Sequence, residues 1–286
     1  MARAARVKAE GEAFYHTMSR ITGQTFLLKD QEVKRDMLDC LRRAAYFSGV
    51  EVGCFAIMDN HFHVAFRIPA RDPGTVTEDE VLDRYAMIRG DGDAGRLKRK
   101  LDRLAASGDV AACEAELDRL RVRMYDLSQF MKTFKEMFGL RFRKRHPHVG
   151  TIWGERFKST HVENAEYLRI CAKYIDLNPV RAKIAKHADD YAWNTVGAAK
   201  HGDAFAKSCL AWLQSIFLGD CPQQEWMLRR CPQIGAGKVL GSRAFVEGEI
   251  KRLGGTLRSG SLAAREARDG VFALHGHRID KKARAA

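Results

Sequence analysis

Three observations predict an α+β fold with helices on one face of an antiparallel sheet. Two adjacent runs, VEVGCFAIM and HFHVAFRI, have strand character; helix-period segments stand on either side of them; and the elements run in the order strand, helix, strand, strand, helical insertion, strand, helix.

Each element has its own signal. FYHTMSRI (14–21) reads as a first strand. In KDQEVKRDMLDCLRRAAYFSG (29–49), Val33, Met37, Leu38, Leu41 and Ala45 keep helical spacing and Gly49 is placed to stop the helix. VEVGCFAIM (50–58) and HFHVAFRI (61–68) are separated by Asp59 and Asn60, which tolerate turn geometry, so the pair reads as a β-hairpin. Residues 70–126 read as a helical insertion, with an acidic helix start in RDPGTVTEDE and a short charged helix in RLKRKLDRLAASGD. One longer helix over about 110–140 carries Leu117, Leu120, Met124, Leu127, Met131, Phe134 and Phe138, spacing that suits a packed helical hairpin better than a dimerising coiled coil. TIWGERFKSTHVE (151–163) returns to a strand and NAEYLRICAKYIDLN to a helix, which completes a domain over 1–200. Residues 201–286 read as a helical extension built from AFAKSCLAWLQSIFLG, PQQEWMLRR and GSRAFVEGEIKRLGG. A basic tail, expected to be disordered, ends it.

Composition narrows the function classes. A net charge of +13 over 286 residues favours a polyanionic partner, with nucleic acid ahead of an anionic membrane surface. No run of about 18 apolar residues exists and no apolar signal segment follows the basic start MARAARVKAEGEAFYH, so a cytoplasmic, nucleoid-associated protein is expected. The 7 cysteines form no CxxC pair, which suits reduced thiols and disfavours a zinc finger. GAGK (235–238) resembles a phosphate loop, but Pro232 stands where its first glycine belongs and Val239 follows the lysine, so no ATP site is inferred.

Two constellations carry chemistry. In HFHVAFRI the alternation puts Phe62, Val64, Phe66 and Ile68 toward the core and His61, His63, Ala65 and Arg67 on the open face. An HxH pair fits two metal ligands and equally fits ordinary strand imidazoles. In the last helix of the domain, Leu168, Cys171, Ala172 and Ile175 form the buried stripe, with Tyr174 and Asn178 at its flank and Pro179 marking a helix end or kink near Asn178. A tyrosine there can turn its phenol outward, or simply pack. A phenol is only about a thousandth ionised at neutral pH, so a nucleophilic tyrosine needs a strongly activated target such as a cation-bound phosphodiester. Two imidazoles and an amide oxygen suit Mg2+ or Mn2+ with positions left open for substrate. The basic residues are patterned as well: Arg141, Arg143, Lys144 and Arg145 form one run, and Arg156 and Lys158 share a strand face opposite Trp153 and Phe157. These fit phosphate contact, and the run also fits cations at a helix C-terminus.

Taken together, MDNHFHVAF, WGERFKS and YIDLNPVRA resemble the single-tyrosine HUH transposases, especially the REP-associated tyrosine transposases of bacteria. GEAFYHTMSR and LSQFMKTF extend the likeness over residues 11–200. The resemblance implies a ferredoxin-like catalytic domain, usually homodimeric, that cuts and rejoins single-stranded DNA near hairpins. It implies Tyr174 as the nucleophile, giving a 5′-phosphotyrosine and a free 3′-hydroxyl, with His61, His63 and Asn178 as ligands of the metal. Arg181, in the same motif as Tyr174, joins the DNA-contacting set. Rejoining needs no ATP, because the covalent link preserves the phosphodiester energy. The base that accepts the phenol proton stays open among His16, a substrate phosphate and metal-bound water. A non-catalytic hairpin-binding regulator and a phosphodiesterase using water are the competing readings.

Overall fold

The computed structural model describes residues 7, 9, 11–147, 150–216, 238–253, 264–268 and 271–274. The first half contains β1 (Ala13–Arg20), α1 (Gln31–Ser48), β2 (Glu51–Ile57), β3 (His61–Ile68), α2 (Glu78–Arg89), α3 (Asp91–Ala106), α4 (Val110–Arg121) and α5 (Leu127–Arg145). The second contains β4 (Lys158–Val162), α6 (Ala165–Asp176), α7 (Asn178–Arg181), α8 (Thr195–Lys200), α9 (Ala204–Ser215), β5 (Val239–Gly241), α10 (Arg243–Leu253), β6 (Ala264–Arg268) and β7 (Val271–Leu274). The strands hydrogen-bond in the order β2-β3-β1-β4-β5-β7-β6. β1 lies antiparallel between β3 and β4, and the βαββαβ order of β1, α1, β2, β3, α5 and β4 gives an α+β sheet core.

The alternation in β3 divides the sheet as expected on its apolar side. Phe62, Val64, Phe66 and Ile68 pack with Tyr15, with Met37 and Leu41 of α1, and with Phe130, Phe134 and Phe138 of α5. Each such buried side chain contributes about 1.5–3 kcal/mol. Asp30 caps α1 by accepting from the Glu32 and Val33 N–H groups, and Gly49 ends it at φ 65°, a conformation that favours glycine.

Four expectations are corrected. The opposite sheet face is not open and helices do not keep to one side: α6 lies against it, with Leu168, Cys171, Ala172 and Ile175 packing on Phe14, Ala56, Ala65 and Val162. Small side chains at 56 and 65 let the helix approach. Residues 110–140 form two helices, because Tyr125 adopts φ 52° and Asp126 caps a new start through the Ser128 and Gln129 N–H groups. Leu117, Leu120 and Met124 then join the core of α2–α4 around Phe47, whereas Leu127, Met131, Phe134 and Phe138 join the sheet core. β4 begins only at Lys158; upstream, Trp153 makes an isolated bridge to Ile21. The C-terminal extension is not only helical, since β5 pairs parallel with β4 and is followed by β7 and β6.

The 204–219 and 241–255 segments do contain α9 and α10. PQQEWMLRR (222–230), the end of the chain (275–286), and GAGK apart from Lys238 lie outside the described residues. Gly53 sits at a β2 bulge where a Cβ would come within 2.8 Å of Trp212, so its bareness lets α9 pack against the sheet.

Candidate active site

Strand register assembles the histidines. His16 of β1 pairs with Ala65, Met18 with His63 and Arg20 with His61, so the three imidazoles share the face that α6 covers. His16 Nε2 and His63 Nδ1 are 2.8 Å apart, and His61 Nδ1 is 2.6 Å from Asn60 Oδ1. His63 is only 3% exposed. Burial, then the cations of Arg20 and Arg181, push His61 down to about 4. Burial also drives His63 well below the ordinary imidazole range, helped by His16 and His61. Both rings are therefore neutral at pH 7, the form that ligates metals.

The turn carrying these residues is anchored from beneath. Leu28 N–H donates to Asp59 O and Ile21 N–H to Asn60 O, both at 2.9 Å. Lys34 of α1, 2% exposed, donates to Asp59 Oδ1 at 2.6 Å and to the Tyr191 hydroxyl at 2.9 Å. Sequence reasoning missed Lys34. Its one signal is that it follows Val33 on the inward side of α1.

Tyr174 reaches the same place from the last turn of α6. It is 6% exposed, so its ring is packed rather than turned outward. Its centroid is 6.5 Å from that of His16, edge-on, and Arg181 Cζ stands 3.7 Å from it. α6 stops at Asp176 and α7 starts at Asn178, the break expected from Pro179. Asn178 Nδ2 donates to the Tyr174 and Ile175 carbonyls at 3.2 and 3.1 Å, satisfying the end of α6. Its Oδ1 accepts from Arg181 Nη2 at 2.7 Å, and Arg181 Nη1 donates to Tyr174 O at 3.0 Å. Buried Asp176 secures the helix end, accepting from the Thr195 N–H at 3.1 Å.

The donor set fits a divalent cation in part. With Nδ1–H of His61 donated to Asn60, and that of His63 to His16, each ring offers Nε2. Asn178 Oδ1 accepts from Arg181 and keeps a second lone pair for a cation. Among the described residues no group of three or more His, Cys, Asp or Glu side chains is arranged to hold a metal ion.

The basic residues separate by partner. Arg141 pairs with Asp39 at 2.7 Å, and Arg145 pairs with Asp36 at 3.0 Å and Glu32 at 3.1 Å, which ties α5 to α1. Arg143, Lys144, Arg156 and Lys158 are exposed. Arg143 and Arg156 line a groove beside α5, and Arg181 belongs to the Tyr174 cluster. Among the described residues no helix is long and apolar enough to cross a membrane.

No known family profile matches the chain, and no curated protein does. Among solved structures the chain is similar to a REP-associated tyrosine transposase bound to a REP hairpin, at 14% identity and a TM-score of 0.44, covering 79% of this chain and 96% of that one.

Proposed function

We propose that this chain is a metal-dependent transposase that cleaves and rejoins single-stranded DNA beside hairpins through Tyr174, acting as a homodimer in the cytoplasm. One observation carries the reading: Tyr174, Asn178 and Arg181 from the α6–α7 junction lie with His16, His61 and His63 from two strands in one cluster, of which His16, His63 and Tyr174 are buried.

In the proposed reaction the Tyr174 oxygen attacks the scissile phosphorus. Its O–P bond forms as the bond to the 3′-oxygen breaks, leaving a 5′-phosphotyrosine and a 3′-hydroxyl. The phenol proton is passed on and ends on that 3′-oxygen, and the base that carries it is open among His16, a substrate phosphate and metal-bound water. Attack by a 3′-hydroxyl reverses the step and rejoins DNA without ATP. His61, His63 and Asn178 would hold Mg2+ or Mn2+, which when bound neutralises charge developing on the phosphate. Arg181, beside the phenol, is placed to meet the same charge.

The test is incubation of the full chain with labelled hairpin DNA and magnesium or manganese, followed by denaturing electrophoresis. A protein–DNA adduct, lost in Tyr174→Phe and in His61→Ala/His63→Ala, is expected. Binding without cleavage in every metal favours the regulator, and cleavage that survives Tyr174→Phe favours the water-using phosphodiesterase.

A further inference from the structure

The end of the helix that carries Tyr174 is closed by side chains rather than by further helix. Pro179 has no N–H to offer the Ile175 carbonyl, and Asn178 Nδ2 takes it instead, together with that of Tyr174. The next carbonyl, that of Asp176, accepts from Asn194 Nδ2 at 2.9 Å. Asn178 and Arg181 belong to the same α6–α7 piece as Tyr174 and move with it. Asn194 comes from the start of α8, so it fixes that piece to another part of the fold.

That part is the strand pair that holds two of the histidines. The Ile57 N–H of β2 donates to Trp193 O at 2.8 Å, Asn194 bridges to Ala56, and Thr195 Oγ1 accepts from the Phe55 N–H at 2.7 Å. Ala56 is in turn the register partner of His63. Asn194 is 0% exposed, and both ends of its carboxamide are engaged. Nδ2 also donates to Ala188 O at 2.8 Å, and Oδ1 caps α8 by accepting from the Gly197 N–H at 2.8 Å. One residue thus reaches from the strand beside His63 to the helix end two positions beyond Tyr174.

We propose that Asn194 is a positioning residue for the Tyr174 reaction: its carboxamide sets the separation between the Tyr174 phenol and the strand face carrying His61 and His63. Being buried, it has no surface to offer DNA, so its effect falls on the chemical step. The proposal rests on the reading of Tyr174 as the nucleophile. A displacement of about 1 Å in a reacting group costs on the order of 100-fold in rate.

Single-turnover adduct formation by the full chain, at saturating hairpin DNA and manganese, tests it through a rate constant and an amplitude. Asn194→Ser keeps an acceptor for the α8 cap but cannot reach both carbonyls. It is expected to lower the rate constant about 10- to 100-fold at full amplitude, with hairpin affinity and manganese dependence unchanged. Should the serine variant not fold, Asn194→Asp, of the same shape, keeps the cap, loses the donors and should show the same split. Thr195→Val removes a tie of the same segment to β2 and leaves Asn194 on Asp176. It should lower the thermal midpoint and change the rate constant less than about twofold. A role in folding alone lowers the amplitude and spares the rate constant, and that result for the Asn194 variants overturns the proposal. So does an equal fall of the rate constant in Thr195→Val, or a loss of hairpin affinity that matches the loss of rate. Each of these leaves the Tyr174 adduct of the wild type intact. If the wild type forms no adduct, the functional reading fails and the positioning role falls with it.

Discussion

The Arg181 guanidinium stands over the Tyr174 ring, with Cζ 3.7 Å from the centroid, and also holds Asn178 Oδ1 at 2.7 Å. One cation thus touches the proposed nucleophile and hydrogen-bonds a proposed metal ligand. Arg181→Ala is expected to lower the rate of adduct formation about 100-fold, the scale of losing one charge-stabilising donor. Arg181→Lys should recover only part of this, because an ammonium cannot reproduce the planar contact and the fork of donors. Time courses of adduct yield at saturating DNA measure both, and an unchanged rate would limit Arg181 to closing the end of α6.

The buried imidazoles make stability depend on acid. An unfolded histidine titrates near 6.5, whereas burial and the nearby arginines hold His61 at about 4 in the fold. As pH falls from about 6.5 toward 4 the unfolded chain takes up protons that the folded chain refuses. This contribution is therefore full above 6.5 and is lost on acidification. Urea midpoints should drop between about pH 7 and pH 5, and His61→Asn should flatten the drop.

Asp176 has the opposite sign. Burial pushes its carboxyl from 3.8 up to about 7, against the N–H donors of Val196 and Thr195. The unfolded carboxyl ionises first, so stability declines as pH rises from about 4 to 7 and then levels off. Asp176→Asn should gain on wild type by on the order of 1–3 kcal/mol at about pH 8 and much less at about pH 4, read from urea melts.

Much of this was legible in local pattern. The core side of HFHVAFRI follows from period two, and the end of α1 follows from Gly49. The candidate residues His61, His63, Tyr174 and Asn178 were legible as motifs, and the structure brings them into one region. What escaped depends on partners distant in sequence. The burial of His63 comes from α6, about a hundred residues further on, and the engagement of Arg141 and Arg145 comes from acids on α1. The break at Tyr125 was hidden because a heptad-like apolar run crosses it, although Asp-Leu-Ser carries a capping signal. A strand as short as Val239–Gly241 has no alternation to detect.

Lys34 links fold to site. Its buried ion pair with Asp59 holds the turn before His61. Lys34→Met should destabilise the chain by about 2–3 kcal/mol, toward the lower end for a broken buried pair because the Asp59 side chain keeps 24% exposure. Chemical denaturation measures this, and a loss under about 0.5 kcal/mol would show that the turn does not need the lysine.

The most direct measurement is mass spectrometry of the chain after reaction with hairpin DNA and manganese, followed by nuclease and protease digestion. The account predicts a nucleotide remnant joined through a 5′-phosphate to the peptide bearing Tyr174, absent from Tyr174→Phe. A remnant on any other residue, or cleaved DNA with no protein-linked nucleotide, would contradict it.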